Sequence, residues 1–130
     1  MPLILIVDDE HAIRMMLSDF LENSYEIVPA ENGEQALEML AKRAVDLIIS
    51  DINMPGMNGI ELLRTVRERY PAVKRALITA YNTDEYIDLI KNEGVSNIIP
   101  KTVPFNFSEL ASIVHGLVTG EVFGLERYLL

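Results

Sequence analysis

Along the chain, short apolar runs alternate with segments whose apolar residues recur three and four positions apart. The runs Leu3 to Val7, Leu47 to Ile49 and Ala76 to Ile78 are uninterrupted, and each ends at a polar residue: Asp8, Ser50 followed by Asp51, and Thr79. Runs this short, with no polar alternation, predict strands covered on both faces, as in parallel sheets. Between them, Ile13, Met16, Leu17, Phe20 and Leu21, and later Leu110, Ile113, Val114, Leu117 and Val118, form the stripes of helices that lie on a sheet. Asn32, Asn58, Asn82 and Asn106 are each followed three residues later by Gln35, Glu61, Glu85 or Glu109, a spacing that resembles a capping box with Asn as the cap.

Strand then helix, five times over, predicts a parallel sheet with helices on both faces. Pro29 is expected to close a strand over Tyr25 to Val28, and Pro100 one over Val95 to Ile99, which makes the second and fifth strands the edges, where proline costs least. The flavodoxin-like, doubly wound (βα)5 order 2-1-3-4-5 satisfies this and leaves the three purely apolar runs in the middle. A single domain over residues 1–119 is expected, followed by a C-terminal extension, 120–130.

The chain has 130 residues, about half of them hydrophobic, enough for one core. Twenty acidic residues against eleven basic ones give a net charge of −9, which argues against direct binding to nucleic acid or anionic lipid. No cysteine is present, so disulfides and thiolate metal sites are excluded, and the cytoplasm is the expected compartment. The apolar opening is too short for a signal peptide, and no stretch approaches a membrane span.

In such a sheet all strands point their carboxyl ends at one rim, where ligands bind near the topological switch point. That rim receives Asp8 and Asp9 from the first strand, Asp51 from the third, Thr79 from the fourth and Lys101 from the fifth. Carboxylates brought together repel by roughly 4 kcal/mol per pair at ~4 Å and an effective dielectric of ~20, so the cluster calls for a cation. With oxygen donors alone on offer, a hard ion such as Mg2+ is expected. The Lys101 ammonium can neutralise a phosphoryl oxygen, the Thr79 hydroxyl can donate to another, and a carboxylate nucleophile completes an acyl-phosphate site. Capping of the first helix accounts for one of the acids Asp8, Asp9 and Glu10, not for all three.

These residues carry a resemblance. Asp51, Met54, Pro55, Asn58 and Gly59 are similar to the acceptor loop of response-regulator receiver domains, joined by Val7 to Glu10, by Thr79 with Ala80, and by Lys101, over residues 3 to about 118. The resemblance implies that Asp51 takes a phosphoryl group from the phosphohistidine of a histidine kinase or phosphotransfer protein. It implies that Asp9, Asp51 and the backbone carbonyl of Asn53 bind Mg2+, with Asp8 acting through water, and that Lys101 and Thr79 contact the phosphoryl group. Gly56 and Gly59 are expected to supply positive φ in the turn.

Two positions depart from the family pattern. Receivers usually carry an aromatic residue three positions before the lysine, where this chain has Ile98, so Tyr81 is the substitute candidate for the side chain that moves on phosphorylation. The lysine is usually followed by a cis proline, whereas here Thr102, Val103 and Pro104 follow; a cis bond to threonine would cost ~3 kcal/mol, so a rebuilt loop is expected.

His11 and His115 are assigned no role, and Met15, Met16 and Met39 are expected in the core, while Met54 and Met57 border the acceptor loop. The apolar tail, with Val122, Phe123, Leu125, Tyr128, Leu129 and Leu130, either packs back on the domain or forms a homodimer contact or the entrance to an output region. The surface expected to change on phosphorylation runs from Asn82 to Val118, with Tyr81, Tyr86, Ile87 and Phe105 placed to meet an output partner. Two rival functions remain open: a Mg2+-dependent phosphatase of the haloacid-dehalogenase kind, and a receiver-like module that never takes phosphate. The first normally carries its nucleophile on the first strand with a second acid two residues on, whereas here Asn53 follows Asp51.

Overall fold

The computed structural model describes residues 1–80, 97–101 and 105–120. In chain order these form β1 (Leu3–Val7), α1 (His11–Leu21), β2 (Glu26–Ala30), α2 (Gly33–Lys42), β3 (Leu47–Asp51), α3 (Gly59–Arg69), β4 (Lys74–Thr79), β5 (Asn97–Pro100) and α4 (Phe107–Thr119). The expected cap at Asn82, the residues Tyr81, Tyr86 and Ile87, the loop 102–104 and the tail 121–130 lie outside the described residues.

All five strands are parallel, in the order β2-β1-β3-β4-β5, as the pattern predicts. Successive side chains of a strand point to opposite faces, and this alternation builds two cores. Leu3, Leu5, Val7, Ile48, Leu77 and Ile98 meet Ala36, Leu40, Leu62, Leu63 and Val66 of α2 and α3. Ile4, Ile6, Leu47, Ile49, Ala76, Ile78 and Ile99 meet Leu17, Leu21, Leu110 and Val114 of α1 and α4. Strands buried on both faces in this way read as continuous apolar runs.

Asp46 fastens the amino ends of the strands. Its Oδ2 accepts from the Leu3 amide at 2.8 Å, its amide donates to Leu3 O at 2.9 Å, and its carbonyl accepts from the Lys74 amide at 3.0 Å. At the opposite rim β3 and β4 run on through Ser50, Asp51 and Thr79, all buried, so the polar residues that end the apolar runs are themselves the last strand residues.

Two expectations need correction. Pro29 does not close its strand but lies within β2, opposite Ile6, and Ala30 continues the pairing to Val7. An edge strand permits this, because alternate amides of such a strand point away from its one neighbour and are not needed for the ladder. Pro100, by contrast, closes β5 as expected, pairing opposite Thr79 as the last residue of the strand. Met15 is exposed rather than in the core, whereas Met16 and Met39 pack against the two clusters.

The asparagine caps at Asn32, Asn58 and Asn106 accept from the amides of Gln35, Glu61 and Glu109 at 2.9, 2.9 and 3.0 Å. The return contact differs from a capping box. Gln35 accepts from the Glu31 amide, and the Glu61 carboxylate accepts from the Asn58 side-chain amide.

Candidate functional site

The strand register sets the site. Val7 lies opposite Ser50, Asp51 opposite Ile78, and Thr79 opposite Pro100, so Asp8, Asp51, Thr79 and Lys101 emerge together at the carboxyl rim of the sheet. The Lys101 amide donates to Thr79 O at 2.8 Å, extending the β4–β5 pairing by one bond to the base of the lysine side chain. Lys101 thus reaches the site despite the altered sequence after it.

Asp8 is fully buried and Asp51 and Thr79 nearly so, while Asp9 is exposed. Asp8, Asp9 and Asp51 each offer a carboxylate oxygen, and these oxygens lie within 4.8 Å of one another. The Lys101 ammonium stands 2.9 Å from Asp8 Oδ2, 3.3 Å from Asp51 Oδ2 and 3.6 Å from Glu10 Oε1. Asp51 Oδ1 accepts from the Ile52 amide at 2.9 Å, which fixes the carboxylate plane and leaves Oδ2 toward the lysine.

Burial raises the Asp51 pKa above its ordinary value; the Asp8 charge raises it further, and Lys101 with the Ile52 amide pulls the other way. For Lys101, burial works to lower the pKa, but hydrogen bonding and charge from Asp8 and then Asp51 outweigh it, so the ammonium is held above its usual value. The lysine is therefore charged at neutral pH, and one cation is shared among several acids.

The donor set fits a hard metal ion. It consists of carboxylates, and the buried Asp8 Oδ2 has the Lys101 ammonium as its counter-charge at 2.9 Å.

The loop beyond Asp51 turns through Gly56, whose φ of +78° bears out the expected glycine. Gly59 has no positive φ, and its role is steric. A Cβ there would lie 2.0 Å from Asp51 O, and the Gly59 amide donates to Ile52 O at 2.9 Å, so α3 starts against the backbone of Asp51 and Ile52. The expectation of conformational freedom at Gly59 is replaced by one of close approach.

Of the remaining named residues, Asn53 is exposed and Met54 buried in the loop. Ile98 is a core residue, packed in the same cluster as Leu77 and Leu5. Tyr81 lies outside the described residues. Of two further site neighbours, Glu10 was named among the acids after the first strand without a role in the site, and Arg14 escaped the reading of the sequence. Glu10 reaches Lys101, and Arg14 donates to the Asp8 main-chain carbonyl at 2.6 Å. A signal for Arg14 was present, since it shares the buried stripe of α1 with Leu17 and Leu21, a place for an apolar side chain.

Comparison with known proteins gives a consistent picture. The family model described as the response regulator receiver domain matches residues 4–115. The response regulator protein FleR of Pseudomonas aeruginosa is 37% identical over 95% of this chain and 26% of its own length. Sporulation initiation phosphotransferase F of Bacillus subtilis is 35% identical over 85% of this chain and 89% of its own. Several curated relatives are thus much longer, and the chain spans about a quarter of their length. Among solved structures, chemotaxis response regulator CheY4 of Vibrio cholerae superposes with a TM-score of 0.82 at 33% identity, over 90% of this chain and 98% of that one. TrrA of Thermotoga maritima, solved in complex with Mg(2+)-BeF, gives 0.80 at 40% identity, over 90% and 99%.

Proposed function

The chain belongs to the response-regulator receiver family of two-component signalling, and from that premise we propose that Asp51 accepts a phosphoryl group from a histidine kinase or phosphotransfer protein in a Mg2+-dependent reaction. The observation that carries the proposal is the meeting, at one rim, of three carboxylates within 4.8 Å and a lysine ammonium 3.3 Å from Asp51. Two relatives support it by their printed names, one a phosphotransferase and one a response regulator with bound Mg(2+)-BeF.

Asp9, Asp51 and the Asn53 carbonyl would hold the ion directly and Asp8 through water. When bound, Mg2+ neutralises carboxylate charge and lowers the electrostatic barrier to an approaching phosphoryl group. The chain's own residues do the rest. An Asp51 carboxylate oxygen attacks phosphorus, an O–P bond forms as the P–N bond to the donor histidine breaks, and the imidazole leaves with the bonding pair and takes up a proton. The Ile52 amide keeps the nucleophile's plane fixed. Lys101 follows the charge from carboxylate to phosphoryl oxygen, and Thr79 donates to a further oxygen.

The added charge of about −1.5 to −2 would then bias the surface that includes β5 and α4, with Thr79 and Tyr81 as switch candidates. Ile98, at the position where the family carries an aromatic residue, is the third candidate and packs in the core cluster beside Leu77. Residues 1–119 act as the receiver and 120–130 as an extension that serves a homodimer or an output region. A cytoplasmic setting follows from the chemistry of the donor; among the described residues no helix is long and apolar enough to cross a membrane. The phosphatase alternative loses ground because Asp51 ends β3 rather than the first strand.

Intact-mass spectrometry after incubation with a small acyl phosphate tests the proposal. One phosphoryl group is expected on the wild type with Mg2+, and none without metal or on Asp51→Asn. An adduct on the Asp51→Asn chain, or none on a folded, Mg2+-bound wild type, would overturn it, the latter in favour of the phosphate-independent module.

A further inference from the structure

Asp8 has four polar groups, and the chain fastens three of them. Its amide donates to Ala30 O at 3.2 Å, its Oδ1 accepts from the Glu10 amide at 2.9 Å, and its carbonyl accepts from Arg14 Nη1 at 2.6 Å. The fourth, Oδ2, faces the Lys101 ammonium at 2.9 Å. Among these fasteners Arg14 is the one side chain, since the others are backbone and would persist with almost any sequence.

Arg14 is about nine-tenths buried. A guanidinium there is less favourable than an apolar side chain of similar volume, so its place in the stripe of α1 calls for a role beyond packing. Its fork spans two parts of the rim. Nη1 holds the end of β1, while Nη2 faces His11 Nδ1 at 3.3 Å and Glu31 Oε1 at 3.9 Å, just beyond β2.

We propose that Arg14 is a positioning residue for the cation site: by clamping the Asp8 carbonyl it fixes the β1–α1 turn and aims Asp8 Oδ2, and with it the neighbouring Asp9, at the ion. The proposal rests on the reading of Asp8, Asp9 and Asp51 as a Mg2+ site. Residues that hold metal ligands in place typically change affinity by 10- to 100-fold when replaced. A planar guanidinium serves both ends at once, which an ammonium cannot. Arg14 also borders a groove with Ser18, Pro29 and Gln35, so its side chain lies beside open space and a variant of similar volume is expected to fold.

The test is Mg2+ titration by calorimetry of the whole chain, wild type against Arg14→Met and Arg14→Lys, with amide hydrogen exchange of the metal-free proteins. Positioning predicts Mg2+ binding weakened about 10-fold or more in Arg14→Met and less in Arg14→Lys, with faster exchange concentrated at the Glu10 amide. Unchanged or tighter binding by Arg14→Met would sink the proposal, because a purely electrostatic effect of removing a positive charge favours the cation. Faster exchange spread evenly through α1 and β2 would also sink it, reducing Arg14 to a packing residue. If the wild type itself binds no Mg2+, the reading of the site fails, and the metal-free exchange at Glu10 still decides whether Arg14 orients the turn.

Discussion

Individual residues at the rim hold charge in an arrangement that favours binding over stability. Asp51 has its pKa raised by burial and by Asp8, so its ionised form is less favourable in the folded chain than in the unfolded one. The folded state then binds the Asp51 proton more tightly. This contribution to stability is present at acid pH and is lost as pH rises from the ordinary value of 3.8 through the raised folded value. In metal-free buffer Asp51→Asn is therefore expected to unfold at a higher temperature than the wild type at pH 7. The gap should close as pH falls below that window, which thermal melts across pH would show. Glycines give a second residue-scale contrast. Gly59→Ala forces a Cβ against main-chain atoms of Asp51 and Ile52 and is expected to cost roughly 3 kcal/mol, while Gly33→Ala meets chiefly the flexible Met57 side chain and should cost well under half as much. Denaturant midpoints of the two variants measure the difference, and equal costs would count against the steric role of Gly59.

Elements are held at their ends by local contacts and across their faces by burial, and the two differ in size. Asn106 caps α4 through the Glu109 amide, so Asn106→Ala is expected to lose about 1 kcal/mol. Leu77, fully buried in the middle of β4, is expected to lose roughly 2–5 kcal/mol on replacement by alanine, read from the same unfolding curves. A cap costing as much as the core leucine would mean that α4 is held mainly by its first turn, contrary to the packing of Leu110 and Val114 on the sheet. The caps were legible because an asparagine followed by Gln or Glu is a local signal. The strand ends were legible only in part. Ser50, Asp51 and Thr79 look like the residues after strands, yet the ladders continue through them, since pairing depends on neighbouring backbone rather than on side-chain polarity.

At the scale of the molecule, with net charge −9 and a rim that gathers acids, the proposed Mg2+ site predicts a coupling of fold to metal. A ligand that binds only the folded state at a hundred times its Kd adds about 2.7 kcal/mol. Saturating Mg2+ is thus expected to raise the melting temperature by roughly 10 °C. Asp9→Asn, which alters an exposed ligand without touching the core, should abolish most of that rise. Chelation that left the wild-type melt unchanged would count against the metal site. Asp51, its counter-charge Lys101 and the strand that α4 packs on are joined through the continuous ladder of β3, β4 and β5.

The amino-acid sequence by itself determined the alternation of strand and helix, the strand order and the five residues that converge at the rim. Apolar periodicity is a local property, and parallel strands must all point their carboxyl ends one way. Only the tertiary structure decided what lies between elements distant in the chain. Asp8 and Lys101 form an ion pair at 2.9 Å. Gly59 yields space to the Asp51 carbonyl. Ile98 packs in the core cluster with Leu77 and Leu5, and Arg14 turns inward to hold the Asp8 carbonyl. Contacts of this kind depend on distance and direction across the fold, which no spacing along the chain encodes.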